Sequence, residues 1–132
     1  MLRLLPPLCW TGLIAYFGGG QWSGAHTAAW LGPLLRALLP TASPEALAVA
    51  HFVVRKAAHV IEYAVLAGLW WRALGSAWAA LALALLTAIF DELRQSFTPG
   101  RGGSIGDVLL DCAGVGAALL CLARLRRRRA TA

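Results

Sequence analysis

The sequence predicts an all-α membrane protein with about four transmembrane helices and one interfacial helix. Of its 132 residues, 59 % are hydrophobic and only 14 % are charged, whereas about a quarter of the residues of a soluble domain are charged. Apolar runs long enough to cross a bilayer recur along the chain. The charged residues lie mainly at the ends of those runs. We therefore expect a single domain over residues 1–132.

The first predicted span covers residues 4–20. This segment contains no charged residue, and Pro6 and Pro7 lie near its start, where a helix tolerates proline best. A run of three glycines at 18–20 ends it. We expect a short helix that crosses the membrane.

The segment 21–41 has a different character from the four predicted spans. Its apolar run is interrupted by Gly24, Gly32 and Pro33 and is too short to cross a bilayer. We predict an interfacial helix over residues 30–39, with its tryptophans at the level of the lipid headgroups. A re-entrant placement of this segment stays open.

The second predicted span, residues 55–72, belongs to a longer helix that begins near Ser43. Serine is a good N-cap, Pro44 suits the first turn, and Glu45 lies near the positive end of the helix dipole. The helical pattern then continues to Arg72. Because such a helix is longer than the bilayer core of about 30 Å, we expect its first part to project into the interface.

Two further spans are predicted over residues 73–91 and 105–123. Gly75 and Ser76 form the turn before the third span, and a glycine-rich loop separates the third span from the fourth. The tail 124–132 is basic. The fourth span carries small residues suited to close helix packing. These small residues are Ala113, Gly114, Gly116 and Ala117.

The distribution of charge predicts the topology. With four spans, Arg3, Arg72 and the arginines of 124–129 share one side, which then holds seven basic residues and no acid. Basic loops tend to stay in the cytoplasm, so we expect both termini to be cytoplasmic. Every acid then lies toward the opposite face, and a site built from these residues looks outward. Nucleic acid is not an expected partner, because no basic–aromatic surface module is present.

The helix of the second span carries a polar stripe. At about 100° per residue, Lys56, His59 and Tyr63 share a stripe of about 60°, with Glu62 on its shoulder. Polar residues four apart follow on the other two spans, Asp91 and Gln95 on the third and Asp107 and Asp111 on the fourth. We predict a polar network between these three spans, with carboxylates paired to Lys56 and Arg101. The candidate site residues are Lys56, His59, Glu62, Tyr63, Asp91, Glu92, Gln95, Arg101, Asp107 and Asp111.

Anion binding is the chemistry that this network favours. Lys56, Arg101 and the amides of the glycine-rich turn form a possible phosphate cradle. An outward site in a membrane then suggests a membrane lipid, such as a polyprenyl-phosphate or a cell-wall lipid. Two alternatives stay open, namely a hydrolase or transferase that acts on a lipid headgroup, with His59 in acid–base chemistry, and a non-catalytic accessory protein whose network orders its helices. The sequence does not decide the oligomeric state.

No metal or cofactor is predicted from the sequence. His59 and Glu62 with an aspartate would suit a divalent ion, but their spacing does not match a zinc signature such as HExxH. Lys56 lies on the same stripe and would oppose a cation. We therefore predict no metal site.

Three motifs carry a family resemblance. KxxHxxEY lies within RKAAHVIEYAVLAGL at 55–69, and DExxQ and PGRxGxxxDVxxD lie within DELRQSFTPGRGGSIGDVLLDCAGVGAA at 91–118. In combination they resemble the VanZ-like family of bacterial membrane proteins. The resemblance implies a multi-pass protein of the bacterial cytoplasmic membrane, similar to proteins associated with glycopeptide-antibiotic resistance. All the candidate site residues except Asp111 are carried over from the family pattern, because Asp111 stands where the family commonly has asparagine.

Overall fold

Five α-helices make up most of residues 2–131, the part of the chain that the computed structural model describes. Short 3-10 turns at Leu2–Leu4 and Gly20–Trp22 precede the first and second helices. No strand occurs in this part of the chain, which confirms the all-α prediction. The helices are α1 (Leu5–Phe17), α2 (Gly24–Leu38), α3 (Pro44–Leu74), α4 (Ala77–Ser96) and α5 (Ile105–Ala130).

Serine caps fix the starts of the two central helices. The Ser43 hydroxyl accepts a hydrogen bond from the amide of Ala46 at 3.3 Å, which confirms the predicted start of α3. The Ser76 hydroxyl accepts a hydrogen bond from the amide of Ala79 at 3.2 Å and so caps α4. Between them, α3 ends at Gly75, whose φ of 73° is the left-handed conformation that favours glycine. The chain therefore reverses direction in a tight turn, as the sequence predicts.

Helix α3 is the centre of the bundle and packs on each of the other four helices. It is 31 residues long, or about 46 Å. Helix α4 presents to the core a stripe of small side chains, Ala80, Ala84 and Ala88. These alanines recur every fourth residue and share one face, so neighbouring helices can approach closely. The core also contains Ile14, Tyr63, Leu66, Ala67, Trp71, Val115 and Leu119.

Helix α2 is longer than the sequence predicts. It begins at Gly24 instead of residue 30 and continues through Pro33. The Ser23 hydroxyl caps it by accepting from the amide of His26 at 3.5 Å. The buried side chains at four-residue spacing stabilise the helix against α3, which outweighs the unfavourable glycine and proline. They are Thr27, Leu31 and Leu35.

The prediction that four small residues of α5 pack against other helices is wrong for most of them. Only Gly114 is buried, and a Cβ atom there would lie 3.0 Å from both Cγ1 and the carbonyl oxygen of Val60. Ala113 and Ala117 are exposed, and Gly116 has open space around it. The face that packs on the other helices is instead centred on Asp111, Gly114, Val115 and Leu119.

The two ends of the bundle differ in charge. At the basic end, the first turn Leu2–Leu4 lies beside Leu74, and the Arg126 guanidinium lies 4.2 Å from the centre of the Trp71 ring. At the opposite end, which we call the polar end, Lys56 of α3 contacts Asp107 of α5. The chain therefore starts and finishes near the same end.

The bundle has an apolar outer surface and polar groups inside. Large apolar side chains such as Trp78, Phe90 and Ile105 are exposed, whereas Asp91 and Asp111 are buried. By length and composition, one helix among the described residues, Ile105–Arg129, can cross a membrane. The apolar helix Leu2–Phe17 is shorter, and α4 ends in the charged sequence DELR.

Candidate functional site

Asp91 is the acceptor for three side chains at the polar end. Gln95 Nε2 donates to it at 2.6 Å, Arg94 Nη2 at 2.7 Å and the Tyr63 hydroxyl at 3.5 Å. Asp91 and Gln95 continue the buried face of α4 beyond its alanine stripe. Gly18 lies against the Asp91–Arg94 pair, where a Cβ atom would clash with both side chains. Close packing of α1 on α4 therefore surrounds the carboxylate.

Lys56 and Asp107 form an ion pair that joins α3 to α5. Both side chains are partly exposed, and Lys56 Nζ also lies 5.2 Å from the centre of the Phe52 ring. Asp107 is in the first turn of α5, where the helix dipole also favours a negative charge. The pair can hold the two helices in register while leaving part of the lysine accessible.

His59, Glu92 and Asp111 meet one turn deeper in the bundle. His59 Nδ1 lies 3.7 Å from Asp111 Oδ2. The Ser104 amide donates to Glu92 Oε2 at 2.8 Å, so the loop before α5 is tied to the end of α4. Each of the three residues places a nitrogen or a carboxylate oxygen within 4.8 Å of the others. This cluster has the residue types that could hold a metal ion.

Within residues 2–131, Arg101 contacts main-chain carbonyls and forms no ion pair with a carboxylate, contrary to the prediction. Its guanidinium donates to the carbonyl oxygen of Gly18 at 3.2 Å and to that of Phe17. The last carbonyl groups of a helix have no partner within the helix, so the end of α1 offers acceptors to any nearby cation. Burial lowers the pKa of the Arg101 guanidinium, but an arginine stays charged near neutral pH.

Two amides near the predicted phosphate cradle are already bound within the protein. The Ser104 amide is bound to Glu92, and the Gly106 amide is bound to the Ser104 hydroxyl at 3.1 Å. These two amides are therefore not available to an anion, and the cavity cations and the preceding glycines of the turn, such as Gly102, are the groups that could bind one.

Glu62 lies apart from the three clusters. Its main-chain carbonyl accepts from Trp10 Nε1 at 2.8 Å, which ties α1 to α3. Its side chain lines a cavity of about 200 Å³, and within residues 2–131 it forms no ion pair. The structure thus places Glu62 in the wall of a cavity that His59 and Arg101 also line.

Two cavities meet at the polar end. The first is largely apolar, and the second, of about 280 Å³, is polar and includes Lys56 and Asp107 in its wall. The apolar side of the first cavity is formed by Phe17, Trp22, Trp30, Leu31 and Val54. The residues that line both cavities are Arg55, His59, Gln95 and Arg101.

Arg55 is the functional candidate that the sequence reasoning missed. It lines both cavities, and no carboxylate lies within ion-pair distance of it in the described part of the chain. Reasoning from a single helical stripe excluded it, because it lies about 100° around the helix from Lys56. Its position beside a second cation was the available signal.

Comparison with known protein families agrees with the motifs. A family model described as VanZ/LLP1 matches residues 5–126. This match confirms the resemblance predicted from the sequence. No curated protein and no solved structure matches the chain.

Proposed function

The chain belongs to the VanZ/LLP1 family, and from this premise we propose that it is an integral membrane protein that binds a phosphate-bearing lipid headgroup. Membership fits a protein similar to those associated with glycopeptide-antibiotic resistance. The observation that carries the proposal is the pair of adjacent cavities, one polar and one apolar, with Arg55 and Arg101 in the wall of both.

The polar cavity suits an anion. Three cationic side chains, Arg55, Lys56 and Arg101, line it together with one carboxylate, that of Asp107. Because Asp107 already pairs with Lys56, the positive charge of the two arginines is not balanced within the cavity. A guanidinium presents several N–H donors in one plane, a geometry that matches phosphate oxygens.

The apolar cavity suits a hydrocarbon chain. Aromatic and aliphatic side chains of α1, α2 and α3 form much of its wall, including Trp22, Trp30 and Leu31. Since the two cavities share residues, a single amphiphilic molecule can place its phosphate in one and the start of its chain in the other. A polyprenyl-phosphate or a cell-wall lipid has this chemistry.

The proposed topology has α1, α3, α4 and α5 crossing the membrane and α2 at the interface. The exposed apolar side chains support it, because surfaces such as that around Trp78, which is 82 % exposed, are unusual for a soluble monomer. The basic end would face the cytoplasm, so both termini would be cytoplasmic. The cavities would then open toward the cell envelope from the bacterial cytoplasmic membrane.

Arg55→Gln tests the proposal, because Arg55 is a cavity cation with no carboxylate partner to disturb. Native mass spectrometry of protein extracted in mild detergent should show a phosphate-bearing lipid on the wild type and its loss from Arg55→Gln. Arg36→Gln is the matched control, since Arg36 is exposed on α2 and lines neither cavity. Equal retention of the lipid by both variants would contradict the proposal.

A further inference from the structure

We propose that His59, Glu92 and Asp111 bind a divalent transition-metal cation. The proposal goes beyond lipid binding and does not depend on it, because two of the three residues lie behind the cavity walls. It rests on the buried polar atoms of the cluster that lack a hydrogen-bond partner among the described residues, and on the distances between these atoms.

Asp111 is the first reason. The residue is 0 % exposed, and neither carboxylate oxygen has a hydrogen-bond partner among the described residues. Its nearest charged neighbour is His59 Nδ1 at 3.7 Å, which is too far for a hydrogen bond. Since burial of a carboxylate without a hydrogen-bond partner is unfavourable, a cation bound between Asp111 and His59 would stabilise the site.

Glu92 is the second reason. The Ser104 amide fixes its Oε2 at 2.8 Å, while Oε1 is buried without a hydrogen-bond partner in the described chain. A carboxylate with one oxygen held by the protein and the other free has the arrangement of an oriented metal ligand. His59 Nδ1 is likewise buried and makes no hydrogen bond with the described residues.

The spacing of the three side chains fits a common ion. Ligand atoms about 2.0–2.2 Å from a metal lie roughly 3–4 Å from one another. The separation of His59 Nδ1 and Asp111 Oδ2, 3.7 Å, is within this range, and all three ligand atoms lie within 4.8 Å of one another. Any pair of these atoms at the upper end of that range must move closer together for all three side chains to reach one ion.

The donor set indicates the class of metal. Imidazole favours zinc, iron and similar transition metals, whereas carboxylates also accept manganese. One histidine with two carboxylates therefore suits Zn²⁺ or Mn²⁺. His59 lines both cavities, so an ion can enter past its ring, and the remaining coordination positions would face that side.

The sequence analysis argued against a metal because Lys56 would repel a cation near His59, but this argument does not hold in the structure. Lys56 shares a helical stripe with His59, but its ammonium is paired with Asp107. Glu92 on α4 takes the place that the sequence reasoning gave to Glu62. The proposed site thus joins three helices, a combination that the spacing along any one of them does not reveal.

Metal titration of the full-length protein in detergent tests the inference. After treatment with EDTA and buffer exchange, Mn²⁺ binding is followed by electron paramagnetic resonance and Zn²⁺ binding by equilibrium dialysis with elemental analysis. The wild type should bind one ion per chain. Asp111→Asn and Glu92→Gln should each weaken binding by at least about 10–100-fold, the loss typical even of residues that only support metal ligands.

Two control variants separate this site from other histidines and acids. His51→Ala and Glu45→Gln should bind metal as the wild type does, because His51 contacts Thr27 of α2 and Glu45 is exposed at the start of α3. If Asp111→Asn does not fold, Glu92→Gln decides, since a glutamine oxygen can still accept from Ser104. Absence of saturable binding to the wild type would overturn the inference, as would unchanged affinity in Glu92→Gln.

Discussion

Replacing Asp91 with alanine should destabilise the bundle more than any loss of a surface ion pair. Asp91 accepts from Tyr63, Arg94 and Gln95. Tyr63 and Gln95 are buried, so their donors lose their protein acceptor when the carboxylate is removed. The Arg94 side chain is 41 % exposed and can be hydrated instead.

The size of the effect follows from these two buried donors. Leaving a buried donor without a partner costs about 1–3 kcal/mol. The Tyr63 hydrogen bond is long, at 3.5 Å, whereas the Gln95 bond is 2.6 Å, so the two should not contribute equally. We expect Asp91→Ala to lower the free energy of unfolding by about 2–5 kcal/mol.

Unfolding by SDS in mixed micelles, followed by circular dichroism, measures this change. Arg94→Ala is the matched control and should lower the free energy of unfolding by less, because Arg94 is partly exposed and Asp91 keeps its two other donors. Tyr63→Phe should lower the free energy of unfolding by an amount between those of the other two variants. An Asp91→Ala protein as stable as Arg94→Ala would refute the view that the buried donors depend on this carboxylate.

Two further predictions concern packing and topology. Gly114→Ala should lower the free energy of unfolding by about 1–3 kcal/mol, because its Cβ would crowd Val60. Gly116 has open space around it, so Gly116→Ala should leave this free energy unchanged or raise it by up to about 1 kcal/mol. Equal effects of the two changes in the same unfolding assay would argue against close contact of α3 and α5. A fluorescent protein fused to the C-terminus should be fluorescent and alkaline phosphatase fused there should be inactive, and an active phosphatase would place that terminus outside the cytoplasm.

The fold was predictable from the sequence where local signals are strong. Ser43 and Pro44 mark a helix start, and Gly75 marks a helix end, because caps and left-handed turns depend on the residues themselves. The start of α2 was not predictable in this way. Gly24 and Pro33 argue against a helix locally, and burial of Leu31 against α3 reverses that preference.

The candidate site was likewise predictable from the sequence in some of its contacts and not in others. Lys56 and Asp107 stand out as charges in apolar helices, and the structure pairs them. The partners of Arg101 could not be predicted, because main-chain carbonyls at the end of α1 leave no signal in the side-chain sequence. The meeting of Glu92 with His59 depends on how three helices pack, so their spacing in the sequence does not reveal it.

The most direct test of the proposed function compares two ligands that differ only in the headgroup. Binding of a polyprenyl phosphate and of the uncharged polyprenol of equal length would be measured on the purified wild-type protein in the same detergent. The account predicts that the phosphate form binds at least about tenfold more tightly, a difference of about 1.4 kcal/mol, and that Arg55→Gln removes this preference. Equal affinity of the wild type for the two lipids would contradict it.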